Sequence, residues 1–583
     1  MTDRTPRAPV RTALLWIALA FGLLVLAATL WVGLRGAAAA DELRSAKTVA
    51  YTLRDQLMAG GTDAATASSA TLIGHTSRAA ELTSDPVWRA AELVPFVGPN
   101  LVAVGHSAAA VDTLAADVAA PLIPIAQSLD LSAMAGPSVD LAPLAAAAPV
   151  LAEARDAVAP ARAQVRAIDT AATLPFIREA VDELTGLVET TANTVESLDR
   201  AATLLPTMLG GSEPRNYLLL VQNSAELRAS GGLVGATAVL TASAGQISVS
   251  DQKSTNDFPV LAEPALPVTP AEANLYGDKL GRYLMDVNLT PDFARSAELA
   301  LAMAEPVYGM SFDGVFAIDQ YVLERVLVAT GPVSVTQELV LSEANAVQVL
   351  LSDVYRDFSD PLAQDAFFAA ATDAVFAAVT SDTVDPRALL AALVDGASQG
   401  RILLWSADEA EQAVLAETTL AGSLGGKNFV GVYLNDATGA KMGFYLSADA
   451  TVDCAPASTG ATHRATVTLT SAAPTDAATS LPAYVTGYGI FGVVAGDTRT
   501  QVVVVLPTGA TVLSATRGDD KLATIGTDDA GRTVMAIFTQ VSPGESITVT
   551  VDFTTTAVDT VAATPGVALT HPKRGGAGCR PTQ

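Results

Sequence analysis

The sequence of 583 residues is poor in cysteine, histidine and basic side chains. It has two cysteines, four histidines, and 34 lysines and arginines against 61 aspartates and glutamates, which gives a formal net charge of −27. So few scattered cysteines and histidines argue against a structural zinc site. A nucleic-acid binder needs a basic face, and the sequence has no basic run. We therefore expect no nucleic-acid partner, and we attribute the acidity to the solubility of an exported protein.

The two cysteines, Cys454 and Cys579, allow two interpretations. They form one disulfide if the compartment is oxidising, or they are two unrelated thiols, because so long a spacing has no signature. The export argued next favours the disulfide.

Residues 12–34 form a long segment without charge. A helix of this length spans about 33 Å, which matches a hydrocarbon core of about 30 Å. Three arginines precede the segment and one follows closely: Arg4, Arg7, Arg11 and Arg35. This asymmetry predicts a cytoplasmic tail at 1–11 and an extracytoplasmic bulk, hence a single-pass protein of the cell membrane. The alternative is a signal peptide cleaved near the alanines at 37–40, but the apolar run is longer than usual, so we favour an uncleaved signal anchor.

Residues 41–207 are rich in alanine, leucine and valine and show helical periodicity. Apolar residues recur every three or four positions in two stretches: Leu43, Ala46, Ala50, Leu53 and Leu57, then Leu184, Val188, Thr191, Val195, Leu198, Ala202 and Leu205. Proline and glycine interrupt the middle, as in LVPFVGPN at 93–100. The pattern predicts an all-α antiparallel bundle that forms a stalk on the membrane. A coiled-coil dimer is the alternative, although neither stretch is long enough to require one.

Residues 212–447 alternate between strand and helix patterns, which predicts a central α/β domain. An apolar strand at Tyr217–Val221 is expected to leave the sheet at Gln222, and two further strands follow. The segment 288–309 predicts a helix, because Pro291 and Asp292 suit a helix start. The segments 431–436 and 441–447 resemble the two strands of a hairpin.

Residues 451–560 change to strand-like alternation. Four predicted strands, ATVTLTS, QVVVVLP, RTVMAIF and SITVTVDFT, are separated by turn sequences rich in glycine, proline and aspartate. This pattern predicts an all-β sandwich of immunoglobulin-like size. Residues 561–583 are rich in glycine and proline and are predicted to form a loose tail, unless a disulfide ties Cys579 back to Cys454.

A polar cluster follows the first predicted strand of the α/β domain. Its candidate ligand-binding residues are Asn223, Glu226, Arg228, Gly231 and Gly232. An arginine offers a planar fork for phosphate or carboxylate, and glycines let backbone N–H groups approach an anion. Two acidic residues after the third strand, Asp251 and Asp257, are weaker candidates for metal ligands. The structural alternative is that Glu226 and Arg228 form an ion pair that holds a corner of the sheet.

Several motifs resemble one protein family. The segments RNYLLLVQNSAELRASGGLVGA, DGVFAIDQYVLERVLVATGPVSV and NFVGVYLNDATGAKMGFYL are similar to the family of domain of unknown function 4012. The upstream DPVWRAAELVPFVGPNLVAV resembles the helical part of that family, so the similarity covers most of residues 80–450. The resemblance implies a membrane-anchored envelope protein, mainly of high-GC Gram-positive bacteria, whose activity is not established.

The central domain is also similar, more weakly, to the LytR-CpsA-Psr phosphotransferases, which transfer glycopolymers from polyprenyl-pyrophosphate carriers to the cell wall. That resemblance implies that Arg228 holds pyrophosphate, that Asp251 or Asp257 lies near a magnesium ion, and that Arg356 occupies a second arginine motif. The chain departs from the pattern, because Glu226-Leu227-Arg228 replaces Asp-x-Arg and a pair of arginines is reduced to Arg356. Both departures weigh against catalysis.

Two functional hypotheses follow. The first is a non-catalytic envelope protein, a scaffold or receptor for cell-wall glycopolymer or for other proteins. The second is a metal-assisted phosphotransferase or pyrophosphatase that acts on polyprenyl-pyrophosphate-linked glycopolymer and uses Mg²⁺. The incomplete arginine set favours the first, whereas the retained Arg228 supports the second.

Overall fold

A computed structural model describes residues 8–58, 62–128, 138–381, 383–424, 429–453, 462–524, 526–529, 531–555, 567–569 and 573–580. The described residues fall into two compact units. The first lies within residues 1–130 and 140–207, and the second within residues 131–139 and 208–583.

The first unit is helical, as predicted. Its helices are α1 (Ala8–Met58), α2 (Thr62–Leu82), α3 (Pro86–Ala91), α4 (Gly98–Thr113), α5 (Ala120–Ser128), α6 (Ala142–Arg166) and α7 (Pro175–Met208). A π-helical stretch, Leu114–Ala119, continues α4 into α5. The predicted helical region is therefore confirmed.

Helix α1 contains the apolar segment predicted to cross the membrane. The stretch Leu14–Gln56 has the length and composition of a membrane span, and its most apolar window contains no buried residue. Two further helical stretches in the described residues, Gly98–Ala126 and Pro361–Val379, also meet these criteria but are partly buried. A candidate N-terminal membrane helix is thus present, and the orientation of the chain stays a prediction.

The helical unit packs through small side chains. Ala46 and Leu53 of α1 are buried, whereas Ala50 is exposed. On α7 the buried positions run through Val195 and Asp199 instead of the predicted Leu198, which is exposed. Asp199 can be buried at such a position because Arg155 donates a hydrogen bond to its carboxylate at 2.7 Å. Alanine at such positions leaves room for the helices to approach closely.

The second unit begins with a mixed sheet and its helices. The elements are β1 (Arg215–Arg228), β2 (Gly231–Ser243), β3 (Gln246–Ser254), α8 (Pro270–Tyr276), α9 (Phe293–Tyr308), β4 (Gly314–Ile318), α10 (Gln320–Thr330), β5 (Val333–Ser334), β6 (Val340–Leu341), α11 (Ala346–Gln348), α12 (Val354–Asp357), α13 (Pro361–Val379), α14 (Pro386–Ser398), β7 (Ile402–Ser406) and α15 (Glu409–Leu415). The sheet has the order β3-β2-β1-β4-β7, with β1 parallel to β4 and the other pairs antiparallel. This confirms a central mixed α/β sheet.

Helix α9 is confirmed, but it begins at Phe293, two residues after the proline that the sequence suggests for its first position. Asp292 is the N-cap and accepts a hydrogen bond from the backbone N–H of Ala294 at 3.1 Å. Gly309 ends the helix in the left-handed conformation, with φ of 67°, where glycine avoids the strain of a Cβ atom. The buried face of α9, with Phe293 and Ala300, joins the core formed by β1 and β4.

The rest of the unit is mainly β-structure. Its elements are β8 (Val430–Asp436), β9 (Leu446–Asp453), β10 (Thr462–Ser471), α16 (Ala477–Ser480), β11 (Thr498–Thr508), β12 (Thr511–Arg517), β13 (Asp520–Lys521), β14 (Thr527–Asp529), β15 (Arg532–Val541), β16 (Ser546–Thr554), β17 (Val567–Leu569) and β18 (Lys573–Arg580). The four strands predicted after residue 451 are confirmed as β10, β11, β15 and β16. Two strands, β17 and β18, lie in the segment that the sequence predicts to be loose.

The C-terminal strands are divided between two sheets, with the orders β13-β12-β16-β10-β9-β18 and β14-β15-β11-β8-β17. The pairs are antiparallel except for the parallel edge pairs β17–β8 and β18–β9. The predicted hairpin of 431–436 with 441–447 is wrong, because β8 pairs with β11 while β9 pairs with β10. The two segments enter different sheets, and a short 3₁₀ helix, Met442–Tyr445, precedes β9.

Strand β11 is buried on both faces, which explains its run of four valines. Val502 and Val504 belong to the core enclosed by the two C-terminal sheets. Val503 and Val505 belong to the core that contains β1 and α9. Because successive side chains of a strand point to opposite faces, a strand between two cores loses the alternation of apolar and polar residues.

Truncation on either face of β11 should therefore destabilise the protein. We expect Val502→Ala and Val503→Ala each to lower the free energy of unfolding by about 2 kcal/mol, since each removes buried methyl groups and leaves a cavity. Leu513→Ala on β12 is the control, because Leu513 is half exposed and surface changes cost about 0.5 kcal/mol or less. Chemical denaturation of the purified full chain in detergent measures all three. A cost at Val503 no larger than at Leu513 would contradict the second core.

Candidate functional site

Strand β1 includes the polar residues that the sequence predicts to follow it. The strand spans Arg215–Arg228 and pairs with β2 over most of this length. The pairing shifts register between Val221 and Gln222 and again between Asn223 and Leu227. The prediction that the chain leaves the sheet at Gln222 is therefore wrong. The polar cluster lies within a bulged strand, where bulges redirect side chains.

The guanidinium group of Arg228 has a partner at each of its three nitrogens. Nε and Nη2 donate to Oδ1 of Asp286 at 3.0 and 2.8 Å, and Nη2 also donates to Oε1 of Glu226 at 3.0 Å. Nη1 donates to the carbonyl oxygen of Leu227 at 2.9 Å. The Arg228 side chain is only 7% exposed. The planar fork of this arginine is thus engaged by carboxylates of the same chain.

Lys441 binds the other side of Glu226. Its Nζ donates to Oε2 of Glu226 at 3.3 Å, and both side chains are buried. The same ammonium group lies 5.3 Å from the ring centroid of Tyr355 and 5.1 Å from that of Tyr484. The aromatic rings stabilise the cation through their electron-rich faces. Lys441 is therefore held by one carboxylate and two rings.

Amide side chains extend the contacts of the cluster. Asn223 donates from Nδ2 to the hydroxyl oxygen of Tyr355 and accepts from the backbone N–H of Ala225 at 3.0 Å. Asn435 accepts from the backbone N–H of Ala229 at 2.8 Å and donates to the carbonyl oxygen of Leu289 at 3.0 Å. The end of β1 is thus tied by hydrogen bonds to α12, to β8 and to the segment before α9.

Five ionisable residues form what we call the Glu226 network: Glu226, Arg228, Asp286, Asp436 and Lys441. Burial alone would raise the pKa of Glu226, but Lys441 and Arg228 outweigh it and hold this pKa below its ordinary value. Burial would lower the pKa of Lys441 and of Arg228, but Glu226 above all raises both. Glu226 and each of the two cations therefore stabilise each other's charged forms.

Asp436 is a carboxyl group of the network with a raised pKa. Burial, reinforced by the charge of Glu226, raises the pKa of Asp436 to about 6, although Arg228 and Thr438 act in the opposite direction. Its oxygens accept from the backbone N–H groups of Thr438 and Gly439 at 2.9 and 2.6 Å and from the Thr438 hydroxyl at 2.8 Å. Three carboxyl groups share two cations, so one carboxyl group has no cation of its own.

The glycine pair at the start of β2 is explained by packing against β1. A Cβ atom on Gly232 would lie 2.2 Å from the backbone carbonyl carbon and oxygen of Asn223. Gly231 has φ of 133°, and a Cβ atom there would lie 2.2 Å from Oε1 of Gln222. Two strands that approach this closely require glycine whether or not an anion binds.

The remaining predicted site residues lie apart from the network. Arg356 is half exposed and pairs with Asp353. Asp251 accepts from Lys253 Nζ at 2.7 Å, and Asp257 accepts from the backbone N–H of Ser254 at 2.9 Å, as part of the capping box of a short 3₁₀ helix.

Among the described residues, no group of three His, Cys, Asp or Glu side chains could hold a metal ion. The metal assignment of Asp251 and Asp257 stays a prediction. So does the disulfide, because Cys454 and the side chain of Cys579 lie outside the described part of the chain.

Three members of the network are not predicted from the sequence: Asp286, Asp436 and Lys441. A signal was present for two of them, because single charged residues interrupt apolar stretches in LMDVNL and GAKMGFYL. A buried charged side chain is almost always paired, so such an interruption indicates a partner elsewhere in the chain. The signal does not say which residue the partner is.

A second buried ion pair lies near the network. Arg401 donates from Nη1 to Oδ2 of Asp319 at 2.5 Å, and the guanidinium group stacks 4.4 Å from the ring centroid of Tyr321. The hydroxyl of Ser224 on β1 donates to the same oxygen of Asp319 at 3.2 Å. Strand β1 is therefore fixed by charged groups on both sides of Ala225. The ion pair of Arg401 with Asp319 thus helps to position β1, and both Arg401 and Ser224 donate to Asp319 of the same chain.

Replacement of Gly232 by alanine tests the packing explanation. We expect Gly232→Ala to lower the free energy of unfolding by about 2 kcal/mol or more, because the added methyl group meets backbone atoms that cannot move aside. Gly235→Ala on the same strand is the matched control, since a Cβ atom there meets nothing closer than 3.9 Å. Thermal and urea unfolding of both variants in detergent measure the difference. Equal stabilities would contradict this explanation.

The raised pKa of Asp436 predicts a pH effect of definite sign. The folded protein binds this proton more tightly than the unfolded chain, so the ionisation of Asp436 costs stability as the pH rises from about 4 to about 7. Asp436→Asn removes this cost and keeps the contacts with the Gly439 N–H and the Thr438 hydroxyl. We therefore expect the variant to gain about 1–2 kcal/mol over the wild type between pH 4 and pH 7. Urea unfolding at both pH values measures this gain, and a constant difference would contradict it.

Comparison with known proteins adds one match. A family model described as "Protein of unknown function (DUF4012)" matches residues 212–355. Comparison with curated proteins and with solved structures finds no match. The matched segment contains Glu226, Arg228 and Asp286, whereas Asp436 and Lys441 follow it. The chain thus carries a DUF4012 domain at residues 212–355.

Proposed function

We propose that the protein is a membrane-anchored, extracytoplasmic protein of the cell envelope that acts as a scaffold or receptor for wall polymers or for other proteins. The observation that supports this proposal is the state of Arg228, the residue best suited to bind pyrophosphate. It is buried, and each of its nitrogens already has a partner in the chain. The cluster therefore serves the fold of the DUF4012 domain and of the strands that follow it.

The anchor in this proposal is the apolar part of α1. Its side chains between Leu14 and Leu34 are largely exposed, as expected of a helix surrounded by lipid. The arginines of residues 1–11 favour a cytoplasmic N-terminus. The proposal keeps the predicted division into a stalk at 41–207, a central domain at 212–447 and an immunoglobulin-like β-domain at 451–560.

The phosphotransferase hypothesis requires Arg228 and Arg356 to contact the phosphates of one substrate. To reach a pyrophosphate, Arg228 would have to release Glu226 and Asp286. Both carboxylates are 8% exposed, and loss of one partner of a buried pair costs about 3–5 kcal/mol. The binding of substrate would have to offset this cost. The geometry supports the scaffold instead.

Two arginine variants distinguish the hypotheses. We expect Arg228→Met to lower the free energy of unfolding by about 3–5 kcal/mol, because it leaves buried carboxylates without their partner. Arg356→Met is the control and should change it by about 0.5 kcal/mol or less, since its ion pair with Asp353 is exposed. Denaturation of the full chain in detergent measures stability. Activity is measured as phosphate release from a polyprenyl-pyrophosphate analogue, with and without Mg²⁺.

The two measurements together decide between the hypotheses. The scaffold proposal expects no phosphate release from the wild type and a large stability difference between the two variants. Phosphate release that Arg228→Met and Arg356→Met both abolish, with little change in stability, would overturn it and identify a phosphotransferase.

A further inference from the structure

The helical unit exposes a set of large apolar side chains in two uncharged stretches of this acidic chain. The stretches are LVPFV at 93–97, which joins α3 to α4, and LPF at 174–176, where α7 begins. Leu93 and Phe96 are 85% and 92% exposed. We call the exposed side chains of both stretches the Phe96 patch: Leu93, Val94, Phe96, Val97, Leu174 and Phe176. A concentrated group of exposed apolar side chains indicates a contact surface.

One side chain joins the two stretches. Asn100 donates from Nδ2 to the carbonyl oxygen of Phe96 at 2.9 Å. Its Oδ1 accepts from the backbone N–H of Leu174 at 2.8 Å. The two apolar stretches are therefore neighbours in the structure, although 77 positions separate Val97 from Leu174 in the sequence. The patch is a single surface built by two loops.

The conformation of Phe96 is unfavourable unless its side chain has a function. Its φ is 67°, in the left-handed region that glycine adopts freely and that a phenylalanine adopts at a cost. In water the exposed ring gains no stabilisation from burial to offset this cost. Glycine at position 96 would remove the backbone cost. Retention of phenylalanine in this conformation is explained if the ring has an apolar environment to enter.

The patch follows a short segment that is fixed to the end of the apolar part of α1. Asp85 pairs with Arg35 at 2.8 Å and accepts from Nε1 of Trp31 at 3.4 Å. Asp85 also caps α3, which ends two residues before Leu93. Within α3, Trp88 lies against Gly36 of α1. The loop that carries Phe96 is therefore held near the level at which the uncharged run of α1 ends.

We propose that the Phe96 patch docks into the surface of the lipid bilayer that α1 crosses. The inference rests on anchoring by α1, which is part of the proposed function. Trp31 and Arg35 have the chemistry typical of a membrane–water interface, where tryptophan and basic residues are enriched. An uncharged apolar patch beside them continues the same apolar surface. Phe96 and Phe176 enter the boundary between headgroups and acyl chains, and the helical unit has a second attachment to the membrane.

Spin labels at four positions test this proposal in the full chain. Cys454→Ser and Cys579→Ser give a background without thiols, and single cysteines replace Leu24, Phe96, Phe176 or Leu187. Leu24 lies within the apolar part of α1. Leu187 on α7 is the matched control, because it is an exposed leucine of the same unit, outside the patch. The chain is reconstituted in phosphatidylcholine–phosphatidylglycerol nanodiscs with one chain per disc. The accessibility of each spin label to oxygen and to a water-soluble nickel complex measures the depth of the label in the bilayer.

We expect label 24 deep in the bilayer, labels 96 and 176 about 5–10 Å below the headgroups, and label 187 in water. A deep label 24 with labels 96 and 176 in water would overturn the docking and leave the anchor intact. A label 24 in water would overturn both. Protection of label 96 that appears only with several chains per disc would identify contact between copies and overturn the lipid assignment. If the thiol-free background does not fold, azidophenylalanine at the same positions carries the label.

Discussion

The fold of the second unit depends on the charge pairing around Glu226. Two cations, Arg228 and Lys441, hold this carboxylate from opposite sides in an environment that excludes water. Charged groups so deeply buried are stable only while each keeps its partner. The partners come from β1, from a 3₁₀ helix at Leu284–Asp286, and from the loop after β8. The network therefore requires three segments, distant in sequence, to be in place at the same time.

That requirement accounts for features that otherwise look unrelated. The bulges in β1 turn the side chains of residues 223–228 toward their partners, and the close approach of β2 then requires glycine at 232. Strand β8, which supplies Asn435 and Asp436, pairs with β11, whose two faces serve two different cores. The mixed sheet and the C-terminal sheets are thus joined by a shared core as well as by shared charges. The DUF4012 match ends before the residues that complete the network.

The sequence predicts what is local and fails where the partner is distant. The helix at 288–309 and the strands β10, β11, β15 and β16 follow from periodicity and end signals, which act within a few residues. The cluster at Asn223, Glu226 and Arg228 was also found, because polar residues after an apolar run are visible locally. Their partners were not, since Asp286 is 58 residues from Arg228 and Lys441 is 215 residues from Glu226. The hairpin after Val430 failed for the same reason, because a local turn was assumed where a distant strand competes.

The two units contain opposite kinds of unusual side chain: buried charged groups in the second unit and exposed apolar groups in the first. In the second unit, Glu226, Arg228 and Lys441 lie where water is excluded, and the chain itself supplies the counter-charges that stabilise them. In the first, apolar groups such as Phe96 are exposed among the described residues, and the proposed docking stabilises them by contact with lipid. The Asp85–Arg35 pair connects these apolar groups to the helix that favours lipid. In the proposed docking, the bilayer around that helix would cover the patch without a further partner, because apolar area leaves water in proportion to the surface buried.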